Sequence, residues 1–289
     1  MENSTPQENT APEEKSFFGI IIHSFFIIPF LITVFALLLF AGVRILTHEQ
    51  HTVYDYLNDV KAGSLNKRWQ AAFELSKILA NPKQIPRDDR FVAELTTAFE
   101  QSRHDDSRVR QYLALAMGRT GNEKFLNPLL SSLKENNPEN LSAFIYALGM
   151  LGEKESATAI YPYLNNPEPK IRLTAVMALG NIGNREAIPF IKKALYDTEP
   201  NVQWDAAIAL AKMGDAAGRE ILLKLLDRNY LTDFKEVDTQ EQTHIVLVTM
   251  EAAANLNDQK LNEAIAQLGQ SDQNMNVRKK ALIQKNTLR

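Results

Sequence analysis

Between Val109 and Ala211 the chain repeats itself four times, and that period constrains its fold more than any other feature. Placed in register, the segments are Val109–Gly118 (VRQYLALAMG), Asn140–Gly149 (NLSAFIYALG), Ile171–Gly180 (IRLTAVMALG) and Val202–Ala211 (VQWDAAIALA). Their last positions, 118, 149, 180 and 211, lie 31 residues apart. A fixed period of this length marks an array of identical supersecondary units.

Within a unit, apolar residues fall three and four apart, as in Ile171, Ala175, Val176 and Leu179, which puts them on one helical face. Ala116, Ala147, Ala178 and Ala209 recur where helices must come close. Pairs of glycines follow, Gly118/Gly121, Gly149/Gly152 and Gly180/Gly183, with Ala211/Gly214 in the last copy. They read as helix terminators, because glycine reaches positive φ without a Cβ clash. Asn122, Glu153, Asn184 and Asp215 come next. Asn and Asp can accept hydrogen bonds at the start of a second helix, and Glu153 suits its positive end. The second helices carry Leu129, Leu130 and Leu133, then Ile160 and Leu164, then Ile188, Ile191 and Leu195, then Leu222, Leu225 and Leu226; turns containing Pro138, Pro167, Pro169 and Pro200 reset the pattern. Each unit is thus an α-hairpin that buries its apolar face only by stacking on neighbours. The predicted fold class is all-α: an α-solenoid.

The stretches Asp106-Ser-Arg-Val109-Arg110, Pro169-Lys-Ile171-Arg172 and Asn201-Val202, each followed by an Ala-x-x-Ala-Leu-Gly-like ending, resemble the HEAT repeat in the short form of phycobilisome-lyase-type proteins. The resemblance spans most of residues 65–289. It implies a stack of HEAT-like hairpins and no particular activity, since that repeat serves many functions.

Ahead of the repeats, residues 1–15 are polar and acidic, the composition of a disordered tail. Residues 16–46 follow as the predicted transmembrane helix. Its run from Ser16 to Val43 holds no Asp, Glu, Lys or Arg and is about 40 Å long as a helix, enough to cross a hydrocarbon core of about 30 Å with tilt. Pro29 marks a kink, or the junction of an interfacial piece with the helix proper near Phe25–Leu46. A cleaved signal would carry a basic leader and a shorter apolar stretch; here Glu8, Glu13 and Glu14 outnumber Lys15, so a retained single-pass anchor is expected. Arg44, Lys61, Lys67 and Arg68 on the trailing side lean the repeat domain toward the cytoplasm. His23 is assigned to headgroup depth. Residues 47–64 read as a juxtamembrane connector, with His48 and His51 in a polar collar and an amphipathic start at Val53–Val60.

An irregular first repeat (Trp69 to Phe99) caps the stack, and the period next fails after Leu226. Taking Val248 as the counterpart of Val202 gives a step of 46 residues, an insertion of about 15 over residues 228–242. Solenoid loops carry variable binding function, so Tyr230, Leu231 and Phe234 are candidate partner contacts, with packing on their own repeat as the competing role. From Arg278 to Arg289 there are five Lys or Arg and no acid. Arg278, Lys279 and Lys280 are accordingly candidates for an acidic partner or anionic lipid, or else cations suited to a helix end.

Catalytic chemistry finds little support. The chain lacks cysteine, which removes thiol catalysis and cysteine-ligated zinc. Deoxyhypusine hydroxylases, which resemble this architecture, hold a di-iron centre through His-Glu pairs. The matching positions here are Trp69-Gln70, Gln111-Tyr112, Ser142-Ala143, Leu173-Thr174 and Trp204-Asp205, so that activity is not expected. No chromophore-handling residues of phycobilin lyases are evident, nor a phosphate loop or a Gly-x-Ser-x-Gly elbow. Asp88-Asp89 and Asp105-Asp106 sit in turns. No catalytic, cofactor-binding or metal-binding residue is assigned. A net charge of −3, with 30 Lys and Arg against 30 Asp and Glu from residue 50 onward, gives no sign of a nucleic-acid partner. The expected function is a non-catalytic scaffold for protein partners, with membrane contact through one helix. The alternatives are an accessory or maturation factor for a cofactor-bearing client, or a subunit of an integral membrane (transport) complex.

Overall fold

The computed structural model describes residues 23–46, 51–135 and 137–287. The expected tail at 1–15, the start of the span at 16–22, and His48 lie outside the described residues. The chain divides into two units, 1–51 and 52–289.

In the first unit a π-helical turn, His23–Ile27, leads into α1 (Ile28–Leu46). The change of helical type falls beside Pro29, which has no N–H to donate. Residues Phe25–Val43 form a helix long and apolar enough to cross a membrane. Thr33 satisfies its hydroxyl internally, donating to the Pro29 carbonyl at 2.8 Å.

The second unit is helical hairpins from end to end. In chain order its α-helices are α2 (Val53–Ala62), α3 (Leu65–Ile78), α4 (Asp89–Gln101), α5 (Ser107–Thr120), α6 (Leu126–Ser132), α7 (Pro138–Leu151), α8 (Ala157–Ile160) and α9 (Pro169–Ile182). There follow α10 (Ile188–Ala194), α11 (Pro200–Lys212), α12 (Arg219–Leu225), α13 (Arg228–Thr232), α14 (Thr239–Ala253), α15 (Gln259–Ser271) and α16 (Met275–Thr287). The first helices of the repeats, α3, α5, α7, α9, α11, α14 and α16, pack each on the next as one layer. The shorter second helices form the other.

The stack begins earlier than the expected boundary at residue 65. From Val53 the stretch read as a connector is α2, which buries Val53, Leu57 and Val60 and packs on α3 and α4. A capping box starts it: Thr52 accepts from the Asp55 amide while the Asp55 carboxylate accepts from the Thr52 amide, satisfying two otherwise orphaned donors.

The two glycines of each pair do different jobs. Gly121, Gly152, Gly183 and Gly214 have φ between 61° and 78° and end their helices in the left-handed conformation. Gly118, Gly149 and Gly180 instead lie inside their helices, against the small residue of the next repeat. At Gly149 an added Cβ would stand 2.6 Å from the Ala178 Cα. Their role is close approach, and the expectation that they terminate helices is corrected. Where Ala211 replaces the glycine, packing of α11 on α14 is sparser.

Each regular second helix opens with a 3-10 turn: Glu123–Phe125, Lys154–Ser156, Arg185–Ala187 and Ala216–Gly218. Asn122, Asn184 and Asp215 accept a backbone N–H two residues on, whereas Glu153 makes no such bond. Pro128, Pro162 and Pro189 lie in the first three of these segments, near helix starts where a missing N–H donor is tolerated.

Arginines tie helices to the turns between hairpins. Arg172 donates from Nε and Nη2 to Asp197, both at 2.7 Å, and this guanidinium holds the Asp197 carboxyl below its usual range. Arg110 spans the same 25 residues to Glu135, and Arg228 grips Asp272 at 2.9 and 3.0 Å.

Candidate functional site

The period breaks after α12, and the register of the break differs from the sequence alignment. Asn257, at φ 48°, is the one non-glycine with positive φ among the described residues, and it takes the place that Gly214 holds one repeat earlier. The step is therefore 43 residues, 12 more than the period. Burial agrees: Val246, Thr249, Met250, Ala252 and Ala253 match the pattern of Arg110, Leu113, Ala114, Ala116 and Met117. Asn tolerates the left-handed region because its short side chain bonds locally, and this hid the register from a search for glycine.

The extra residues fold as α13 and a turn. Leu231 is buried and presents no surface to a partner. Tyr230 and Phe234 are half-buried against Trp204, with ring centroids 6.2 and 4.7 Å from it, and the Trp204 indole N–H donates to the Tyr230 hydroxyl at 3.2 Å. This aromatic cluster seats the insertion on its own repeat, as edge-to-face pairs favour.

Seating α13 there leaves a cleft in the second-helix layer between α12 and α15, of about 670 Å3. Leu223, Leu226 and Leu268 line it together with Asn229, Gln242 and Gln267. At one wall Arg228 is engaged by Asp272, and its Nη1 donates to the Thr243 hydroxyl at 3.1 Å. Sequence reasoning missed Asn229, Gln242 and Gln267; the broken period was the signal that the surface changes there.

The basic residues of α16 are not among those that line the cleft. Lys280 pairs with Glu251 at 2.7 Å, Arg278 donates to the Asp272 carbonyl at 2.5 Å, and Lys279 is exposed. The structure does not bring them together with Tyr230 and Phe234 as one patch. Leu282, at 48% exposure, holds the place occupied in earlier repeats by Ala114, Ile145, Val176 and Ala207, which are fully buried.

On α11, burial pushes the Asp205 carboxyl up to about 6, against the opposing pull of Lys212 and His244. A raised carboxylate pKa contributes stability that is complete below the unfolded value and lost as pH rises through about 6. Asp205→Asn is therefore expected to raise stability at pH 7.5 by about 1–2 kcal/mol, with the gain shrinking toward pH 4.5. Chemical denaturation at the two pH values measures it; an equal effect at both would contradict the assignment.

Comparison with known proteins accords with this architecture. No curated protein matches the sequence. Among solved structures, a chain from the complex of CpcE and CpcF of phycocyanin lyase from Nostoc sp. PCC7120 is similar, at 22% identity over 84% of this chain and 97% of that one, with a TM-score of 0.55. The archaeal HEAT-like repeats protein from Thermococcus onnurineus NA1 aligns at 14% identity over 83% and 98%, with a TM-score of 0.44. At 22% identity the likeness to the phycocyanin lyase chain concerns the fold alone. The family model for HEAT repeats matches residues 93–166 and 157–236, so the centre of this chain is built of HEAT repeats.

Proposed function

We propose that the protein is a membrane-anchored, non-catalytic scaffold whose solenoid binds protein partners. Stacked HEAT repeats offer an extended surface on which neighbouring hairpins contribute side by side, and the chain breaks its period to open a cleft in that surface. That cleft carries the reading. The helix Phe25–Val43 supplies the anchor, being long and apolar enough to cross a bilayer. The test is purification of the full-length protein from its native membranes in mild detergent, with mass spectrometry of what accompanies it and a matched purification of residues 50–289. A stoichiometric protein partner is expected. If only the full-length form retains it, the apolar helix is part of the docking surface; if both do, the repeats hold it. Turnover of a substrate by the purified chain alone would overturn the non-catalytic assignment.

A further inference from the structure

We infer that the outward face of the first-helix layer around Asp205 docks a segment of a partner protein that presents one Lys or Arg among apolar side chains. The inference rests on the scaffold reading and names the chemistry of one partner contact. The repeat period sets this face out in rows across α5, α7, α9 and α11. One row runs through Tyr146, Met177 and Ile208, of which the first two are exposed although large and apolar. The row one turn earlier on the same face holds Tyr112, Ala143 and Thr174 in successive helices, and then Asp205. A single charge thus stands in a row that the preceding helices fill with uncharged residues.

The fold gives that charge no partner. Among the described residues no group donates a hydrogen bond to the Asp205 carboxylate, and Lys212 on the same helix and His244 on α14 act on it only through space. Burial strips water from it, and a desolvated charge without a partner costs stability. Such breaches of a local rule are expected where function requires them. A Lys or Arg brought by a partner supplies the charge-assisted hydrogen bonds that the fold withholds. Apolar side chains beside that cation then cover Tyr146 and Met177, the second of which adapts to varied shapes through its flexible thioether. The same carboxylate repels phosphate, which sets nucleic acid and anionic lipid aside, since both are bound through cations.

The test selects a displayed library of random dodecapeptides in parallel on the full-length wild-type protein and on Asp205→Asn, each held in lipid nanodiscs, after depletion on empty nanodiscs. Peptides enriched on wild type alone are expected to carry a Lys or Arg flanked by apolar residues. Binding of a synthetic one, read by fluorescence anisotropy at pH 7.5, should weaken at least tenfold in Asp205→Asn, the scale of a hydrogen bond to a charged group. Replacing the peptide's cation by glutamine should cost a similar factor. Binding should weaken about threefold in Met177→Ser and persist in Asn229→Ala, beside the cleft. Because Asp205→Asn is expected to stabilise the fold at this pH, its loss of binding cannot come from unfolding. Enrichment of peptides without a cation, equal enrichment on both proteins, or no enrichment would each overturn the proposal. A partner that still co-purifies from native membranes after any of these outcomes leaves the scaffold reading standing, so the two fail separately.

Discussion

Replacing Arg110 by alanine is expected to destabilise the repeat unit by about 3 kcal/mol, near the lower end of the cost of removing one member of a buried ion pair. Arg110 is 1% exposed. Its Nε and Nη2 donate to Glu135, Nη2 also donates to the Ser132 hydroxyl at 3.1 Å, and Nη1 donates to the Phe99 carbonyl at 2.5 Å. The guanidinium lies 4.1 Å from the Phe99 ring centroid, and Phe99 meets Phe144 edge to face at 5.8 Å. One side chain thus joins α4, α5, α7 and the turn after α6. The lower end applies because Glu135, 22% exposed, can rehydrate once its partner is gone. Arg110→Lys should fall between wild type and alanine, since a point charge cannot reproduce the planar fork. Arg108→Ala, which removes a surface pair with Asp106, should cost under about 1 kcal/mol. Denaturant titration of the full-length protein in detergent, followed by helical circular dichroism, gives the comparison. Equal losses at Arg108 and Arg110 would show that the buried network contributes no more than a surface pair.

The sequence made the period, the hairpin and the capping residues legible because all three are local. It showed only half of the inter-repeat contact. Ala147, Ala178 and Ala209 stood out as small residues at close-approach positions, and they do receive Gly118, Gly149 and Gly180. The glycines themselves read as terminators, since a glycine near a helix end has a sufficient local explanation; only stacking shows that the first of each pair faces a neighbour. Residues 53–62 were similarly ambiguous. Val53, Leu57 and Val60 make an amphipathic helix that would suit a connector as well as a stack, and contact with α3 and α4 decides between them. At the insertion, the length anomaly was visible but the direction of its aromatics was not. Tyr230 and Phe234 turn toward Trp204, whose position in the earlier repeats is held by Gln111, Ser142 and Leu173.

The glycine–alanine contacts yield a prediction that separates two kinds of crowding. At Gly180 an added Cβ would meet the Ala209 methyl at 2.7 Å and its Cα at 3.2 Å; at Gly149 it would meet the Ala178 Cα itself at 2.6 Å and the methyl at 2.8 Å. Helix propensity favours alanine over glycine by about 0.8–1.0 kcal/mol, yet overpacking costs about 1–3 kcal/mol. Gly149→Ala, with backbone in the way, is expected to be net destabilising by about 1–2 kcal/mol, and Gly180→Ala by less. Exchanging the two residues at each contact distinguishes them. Gly180→Ala/Ala209→Gly keeps one alanine and one glycine, so propensity cancels, and it removes the methyl that stood in the way; stability should return close to wild type. Gly149→Ala/Ala178→Gly leaves the 2.6 Å approach to the Cα, and the loss should persist. Double-mutant cycles from denaturant titrations measure both couplings, with about 1–3 kcal/mol expected at 180/209 and little at 149/178. Equal coupling at the two contacts would mean that the layer slides to relieve either clash, and that the backbone of one first helix does not limit how closely the next can pack.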